Sequence, residues 1–568
     1  MLHTLLSRVT RGNGFYIGDI FHAAARRDAT TQITLDRPPQ YAPDRGTHFT
    51  VGQLADEIDE LAARLWAVGV RPTERVALYK TDGFDIALLA CAAARIGAVP
   101  ALLSPALDGA VAHELLVRLE KPWLLTDGDT LAGKLRGVPL ADDVRQVLLS
   151  AGTAPPGLVA ETADRTTDRT TERTTERTTE RTAEPIALAE YADAPVREPV
   201  FLHPRQPSLI THSSGTTGIP KLAVHCPEAG WHRLVPQRVV SWPIRGKETA
   251  ALCMTFVHSR FYQGLAMFLS HGNPMVIAVD PHPDSIGPLF VRTRPGYIET
   301  HPNTYIDWEE LDHAPGAPLS SVRVFGATFD AMHPRTIQRM LAASRHRRPV
   351  FVQFYGQSEI GPMAGRWYTR RTAHKADGRC VGLPLPGFVS LRVVDDSGRR
   401  LGPGRSGHLE VRSRTRILTY LGEDERFRSE LRDGWWRVGD TGYLDRRGLL
   451  HLMDREVDRI EAVDSNLAVE DLLMGRLEEL REVVIVADPR GEPVPVVATR
   501  GEAPLDERRW RRATVDLPPM SAFRQLRFDD LPRTSTRKIQ RSELARRLWE
   551  EHPPPGGMRA VPDTTRGA

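Results

Sequence analysis

The segment Thr211-His-Ser-Ser-Gly-Thr-Thr-Gly-Ile-Pro-Lys221 gathers hydroxyls at Thr211, Ser213, Ser214, Thr216 and Thr217 around Gly215 and Gly218. Glycines let backbone N–H groups turn towards an anion, hydroxyls add donors and an ammonium adds charge, so this loop is suited to cradle a polyphosphate. It is not a Walker A loop, in which the lysine directly follows the second glycine; here Lys221 follows Gly218 by three. Lysine is scarce in this chain: Lys80, Lys121, Lys134, Lys221, Lys247, Lys375 and Lys538 are the only seven of 75 basic residues. A chain that fills generic positive positions with Arg keeps Lys where a compact ammonium on a flexible stem is needed. Lys221 ends the loop, and Lys538 lies in Leu531-Pro-Arg-Thr-Ser-Thr-Arg-Lys-Ile539.

Four further segments follow in a consistent order: Val324-Phe-Gly-Ala-Thr-Phe329, Phe354-Tyr-Gly-Gln-Ser-Glu359, Gly434-Trp-Trp-Arg-Val-Gly-Asp-Thr-Gly-Tyr443 and the segment that ends on Lys538. Together with the loop they resemble the adenylate-forming superfamily of acyl-CoA synthetases, peptide-synthetase adenylation domains and luciferases, over roughly residues 20–550. The resemblance implies that Thr211, Ser213, Ser214, Gly215, Thr216, Thr217, Gly218 and Lys221 hold phosphates. It implies adenine contacts from Gly326 and Ala327, with Phe325 standing where a first glycine would be, and nucleotide contacts from Phe354, Tyr355 and Gly356. Ser358 would meet the α-phosphate, Glu359 would bind magnesium, Asp440 would grip the ribose hydroxyls, and Arg455 would touch the nucleotide. Lys538 would be the catalytic lysine that bridges the attacking oxygen and the α-phosphate. His258 matches an aromatic or His that flanks the acyl site, a packed histidine being the other reading. Thr328 and Arg260 complete the expected substrate pocket, with Arg260 placed to meet an anionic or polar substrate.

The implied chemistry needs no side-chain nucleophile. A carboxylate attacking the α-phosphate brings two anions together, and the cations relieve the repulsion as charge moves to pyrophosphate. Binding both substrates in line supplies the orientation term. The implied activity is an AMP-forming ligase that uses ATP and Mg2+ to activate an acid and passes it to an acceptor, CoA by family default. The alternatives are an amide synthetase, a carrier-protein loader or a nitrite-activating diazotase of a natural-product pathway, and, from another class, a nucleotide-binding protein without turnover.

The hinge segment departs from the family pattern. It reads Asp454-Arg-Glu-Val-Asp-Arg-Ile-Glu-Ala-Val-Asp464 and then Ser465-Asn-Leu-Ala-Val-Glu-Asp471. Val457 replaces the hinge Asp or Lys, Glu461 a Lys, Asp464 a Gly and Val469 a Pro. Gly admits backbone angles that Asp adopts reluctantly. Glu461 also puts a negative charge near the path a polyanionic cofactor would use. The expectation is efficient adenylation with slow or absent transfer to CoA.

The elements that must position these residues are legible in outline. At 568 residues the chain allows about three to five domains or one large domain with an appendage. Apolar residues at 41% and charged residues at 26% place it among globular proteins. A net charge of +3 gives no argument for nucleic acid or an anionic membrane as partner. The clusters Arg345-His-Arg-Arg348 and Arg508-Arg-Trp-Arg-Arg512 read as solvated surface. Cys91, Cys226, Cys253 and Cys380 have no pairing or zinc spacing, which points to a reduced, cytoplasmic protein. Thr50 as N-cap, with Leu54, Ile58, Leu61 and Leu65 at helical spacing, predicts a helix that stops at Gly69. A strand over 75–79, a helix over 84–96 and a strand over 98–103 complete the rhythm of a layered α/β domain with a parallel sheet. The expected organisation is a large α/β domain over 1–455 with a β subdomain at about 382–455, and a small mobile α+β domain over 456–552 carrying Lys538. The repeats of (Asp/Glu)-Arg-Thr-Thr at 164–184 read as a solvated insertion, and 553–568 as a disordered tail.

Overall fold

The computed structural model describes residues 14–153, 184–213, 219–241, 246, 248–328, 332–534 and 537–551. Most of the repeat segment at 164–184, and the tail, lie outside the described residues. Two large sheets carry most of the chain. In the first, the strands Gln32–Leu35, Met275–Ile277, Ala250–Cys253, Tyr297–Thr300, Val324–Ala327 and Val350–Gln357 run parallel. It continues into the antiparallel strands Gly361–Thr369, Cys380–Pro384, Leu450–Arg455 and Trp435–Leu444. In the second sheet, Leu209–His212, Val99–Leu102, Arg75–Leu78, Trp123–Thr126 and Gln146–Leu149 are parallel, and Leu222–His225 pairs antiparallel with Leu209–His212.

Side-chain alternation explains the layering. On Ala250–Cys253, Ala250 and Leu252 face one core while Ala251 and Cys253 face another. The core between the two sheets is filled by the helices Val51–Ala67, Asp85–Arg95 and Ser259–His271. Asp85–Arg95 is buried at nearly every position, as an apolar helix between two sheets must be. Thr50 caps Val51–Ala67 in a reciprocal box with Gln53, which fixes the helix start read from the sequence. The outer faces are covered by Pro283–Thr293 and Pro334–Ala343 on one side and Gly109–Arg118 on the other. After Arg455 the chain forms a three-stranded sheet built on Leu480–Ala487 and Pro493–Thr499, with Asn466–Arg476 and Glu507–Ala513 on one face and Arg541–Glu551 on the other. This is the mixed α/β class expected from the sequence. The four cysteines are buried free thiols, and among the described residues no helix is long and apolar enough to cross a membrane.

Candidate active site

The chemistry-bearing segments leave the carboxyl ends of their strands, where parallel α/β sheets place ligands. Leu209–His212 leads into the glycine-rich loop, Ala250–Cys253 into His258, Val324–Ala327 into Thr328, and Val350–Gln357 into Ser358 and Glu359. They meet around a cavity of about 330 Å³ lined by Ser213, Lys221, His258, Arg260, Thr328, Phe354, Tyr355, Gly356, Ser358, Glu359, Asp440, Arg455 and Lys538. The residues singled out from the sequence thus converge from segments more than 300 positions apart.

At the phosphate end, the base of the loop is closed by Ser213 N–H donating to the Lys221 carbonyl at 2.8 Å and Lys221 N–H donating to Ser213 Oγ at 3.0 Å. Ser214, Gly215, Thr216, Thr217 and Gly218 lie outside the described residues. Thr211 is fully buried and its hydroxyl bonds His225 Nε2 at 2.8 Å, so it braces the strand and is absent from the cavity wall. The Lys221 ammonium sits 4.7 Å from the Tyr420 ring centroid, and the Tyr420 hydroxyl donates to Glu359 Oε1 at 2.6 Å. Burial lowers Lys221 from the ordinary lysine range while Glu359 opposes the shift.

The adenine segment is only partly exposed to the cavity. Gly326 and Ala327 are strand residues that do not line it; a Cβ on Gly326 would meet the Tyr297 hydroxyl at 2.6 Å, so close packing against Tyr297 requires glycine there. Phe325 points to the opposite face and stacks on Phe351, which is how the chain tolerates a phenylalanine in place of the first glycine. Tyr355 donates its hydroxyl to the Asp440 carboxylate. Asp440 and Arg455 are direct partners on neighbouring antiparallel strands, 3.9 Å apart.

In the inner part of the cavity, His258 caps the helix Ser259–His271 by accepting the Arg260 N–H on Nδ1 at 3.1 Å. Nε2 therefore carries the proton and faces Ser358 Oγ at 3.1 Å. Burial, helped by Arg233, lowers His258 to about 3, so the ring is neutral. Arg260 lines the wall, but Glu299 holds its guanidinium through two bonds of 2.6 and 2.5 Å. Its charge is matched inside the protein, unlike the open cation the sequence suggested.

Sequence reasoning missed contributors that come from distant elements. Arg233, on Pro227–Val240, is buried and donates to the carbonyls of Ser358, Glu359 and Thr415 at 3.0, 3.1 and 2.9 Å, clamping the turn that carries the first two. Burial lowers this guanidinium to about 10. Gln353 is 1% exposed, neither side-chain amide atom has a partner, and it lines a second cavity of about 180 Å³. The two cavities share Phe354, Tyr355, Gly356, Gln357, Asp440, Arg455 and Lys538. No signal in the local sequence marks Arg233 or Gln353.

Lys538 reaches the site from a loop pinned to the large unit. Asn303 donates to the Arg537 carbonyl, and Arg537 bonds Thr304 Oγ1 at 3.3 Å. Arg500 pairs with Glu309 and Arg481 with Asp307, each at 2.6 Å. His333 lies 3.0 Å from Asp471 and 3.6 Å from Glu482; although burial opposes its charge, these carboxylates lift it to about 10. In the hinge segment Val457, Glu461 and Asp464 are exposed, and Asp464 is not among the residues with positive φ. In this arrangement of the two units Asp464 therefore needs no glycine-like backbone.

The AMP-binding enzyme family profile matches residues 21–421. The chain is 73% identical over 545 residues, 96% of its length and 98% of the relative's, to 3-amino-2-hydroxy-4-methoxybenzoate diazotase of Streptomyces cremeus. It is 23% identical over 553 residues, 90% of its length and 91% of the relative's, to 3-aminoavenalumate diazotase of a Streptomyces species. An anthranilate CoA ligase in complex with anthranoyl-AMP shares the fold at a TM-score of 0.75 and 18% identity, covering 94% of this chain and 97% of that one. The chain belongs to the AMP-binding enzyme family.

Proposed function

We propose that this enzyme is an ATP-dependent aryl-amine diazotase: it activates nitrite as a mixed anhydride with AMP and passes the nitrosyl group to the amine of an aminohydroxybenzoate. The observation that carries the reading is 73% identity along 96% of the chain to a diazotase of that substrate class. Transfer to CoA, the family default, is the weaker reading, since an indoleacetate–CoA ligase and a feruloyl-CoA synthase stand at 26% and 28% identity.

The chemistry parallels acid activation. A nitrite oxygen attacks the α-phosphorus, the bond to pyrophosphate breaks, and AMP–O–N=O forms. The amine nitrogen attacks the nitrosyl nitrogen and AMP departs. Two proton shifts and loss of water leave the diazonium. One amine, one nitrite and one ATP give one diazonium, AMP, pyrophosphate and one water. Lys538 neutralises charge between the attacking anion and the α-phosphate. Ser213, Lys221 and the glycine-rich loop hold the β- and γ-phosphates. The His258 Nε2–H occupies Ser358 Oγ as an acceptor, which leaves the serine O–H to donate to the α-phosphate. Tyr355 and Asp440 receive the ribose hydroxyls, and Gln353 presents a paired donor and acceptor suited to an adenine edge.

Magnesium fits this site without an all-protein cage. Among the described residues there is no cluster of three or more His, Cys, Asp or Glu side chains that could hold a metal. Mg2+ is ordinarily bound through one or two carboxylates together with substrate phosphates and water, which Glu359 at the cavity wall satisfies. When bound it supplies positive charge to the triphosphate.

The test is pyrophosphate release with 3-amino-2-hydroxy-4-methoxybenzoate, scored with and without nitrite and with and without CoA. Release that requires nitrite and ignores CoA is the expected result. Release that needs only the benzoate, with a CoA thioester as product, would overturn the proposal.

A further inference from the structure

The inner wall of the cavity is polar, and its hydrogen bonds are almost completely used. Gln237 Oε1 accepts from Arg260 Nη1. Arg260 Nε and Nη2 donate to Glu299 at 2.6 and 2.5 Å, and the Thr328 hydroxyl donates to Glu299 at 3.4 Å. Gln263 differs. It sits one turn along Ser259–His271 from Arg260, is 4% exposed and lines the same cavity. Its Nε2 donates to the Gly230 carbonyl of the facing helix at 3.2 Å, which fixes which end of the amide is oxygen. Its Oε1 has no hydrogen-bond partner.

A buried acceptor without a donor is costly, and a ligand that brings the donor recovers that cost. We infer that Gln263 is a specificity-determining residue that reads a hydroxyl on the aryl ring of the substrate. This rests on the aryl-amine reading above. In that reading the amine must face the activated nitrite near Ser358 and Lys538, so the inner wall meets the other ring substituents. A carboxylate or a methoxy group offers only acceptors and cannot satisfy Oε1. A ring O–H can.

The experiment compares 3-amino-2-hydroxy-4-methoxybenzoate with 3-amino-4-methoxybenzoate, which lacks only the hydroxyl, in wild type and in Gln263→Met. Nitrite-dependent diazo formation is the readout. Wild type should prefer the hydroxylated amine in kcat/KM by roughly 10–100-fold, chiefly through KM, because its loss strands the buried oxygen. Gln263→Met should lose most of that preference by weakening only the hydroxylated substrate, and should leave the other unchanged, since the two deletions remove one shared contact. A variant that retains the preference, or that weakens both substrates equally, would overturn the assignment. Equal efficiency of wild type towards the two amines would overturn it without any variant. Nitrite-dependent turnover of neither amine would instead sink the diazotase reading and this inference with it, so the two failures are distinguishable.

Discussion

The two cavities share a wall yet differ in charge, and the contrast bears on the acceptor. The larger is lined by seven cationic side chains, Lys221, Arg233, Arg260, Arg426, Arg437, Arg455 and Lys538, against the carboxylates of Glu359, Glu430 and Asp440. The smaller lies in the seam between the large unit and the unit that follows Arg455. It is lined by Asp440, Asp454, Asp458, Glu470, Asp471 and Glu482, against Arg455, Lys538, Arg541 and a charged His333. Several of the seam's acids are tied up: Glu470 accepts two bonds from Arg541 at 2.6 and 2.8 Å. A reaction that gathers a triphosphate and nitrite wants the first environment. A polyanionic acceptor such as CoA gains nothing from the second, whereas a singly charged aminobenzoate is much less sensitive to it.

The largest expected effect comes from breaking the cationic side of this contrast. Lys538→Ala should lower nitrite-dependent AMP formation by roughly 10²–10³-fold. Calorimetric ATP binding should change by much less; wild-type-like rates in this variant would remove Lys538 from the chemistry. Asp440→Asn should come next, raising KM for ATP by roughly 10-fold or more as a charge-assisted bond to the ribose is lost. An unchanged KM would mean that Asp440 serves only to orient Tyr355.

The acidic side gives smaller effects. Burial pushes Asp454 up to about 7, against the Asn466 N–H that donates to it at 3.0 Å. Between about pH 4 and 7 the folded carboxyl keeps a proton that the unfolded chain has lost, so this group lowers stability as pH rises through that window and no further above it. Asp454→Asn should therefore match wild type in Tm near pH 4 and exceed it by a few degrees at pH 7.5. A constant difference across the range would show that the group is ionised throughout. The smallest effect is expected from Glu461→Lys combined with Asp464→Gly. Asp464 has no positive φ to relieve and both residues are exposed, so the double variant should diazotise at the wild-type rate and form no CoA thioester. Appearance of thioester would show that this segment alone withholds CoA transfer.

Legibility in the sequence followed contiguity. The phosphate loop and the segments ending on Glu359, Asp440 and Lys538 each pack their functional groups into a few positions. Their glycines, hydroxyls and rare lysines are visible without a partner. The alternation and capping that built the layered α/β core were equally local, as in Thr50–Ala67. What the sequence could not show was pairing across distance. Arg260 looked like an open cation because Glu299, which neutralises it, comes from another strand. Arg233, Gln353 and Gln263 carry no motif; only the packing of helix on helix and strand on strand gives them a place in the wall. The hinge departures were visible as letters, but the absence of strain at Asp464 required its φ angle.

The most direct test of the central claim is isotope transfer. The enzyme would be incubated with ATP, 3-amino-2-hydroxy-4-methoxybenzoate and 15N-nitrite, and the product mass read together with AMP. The expected result is a diazo product carrying one 15N, formed in equal amount to AMP and only when ATP is present. AMP formation with an unlabelled acyl product, or a labelled product that forms equally well without ATP, would contradict it.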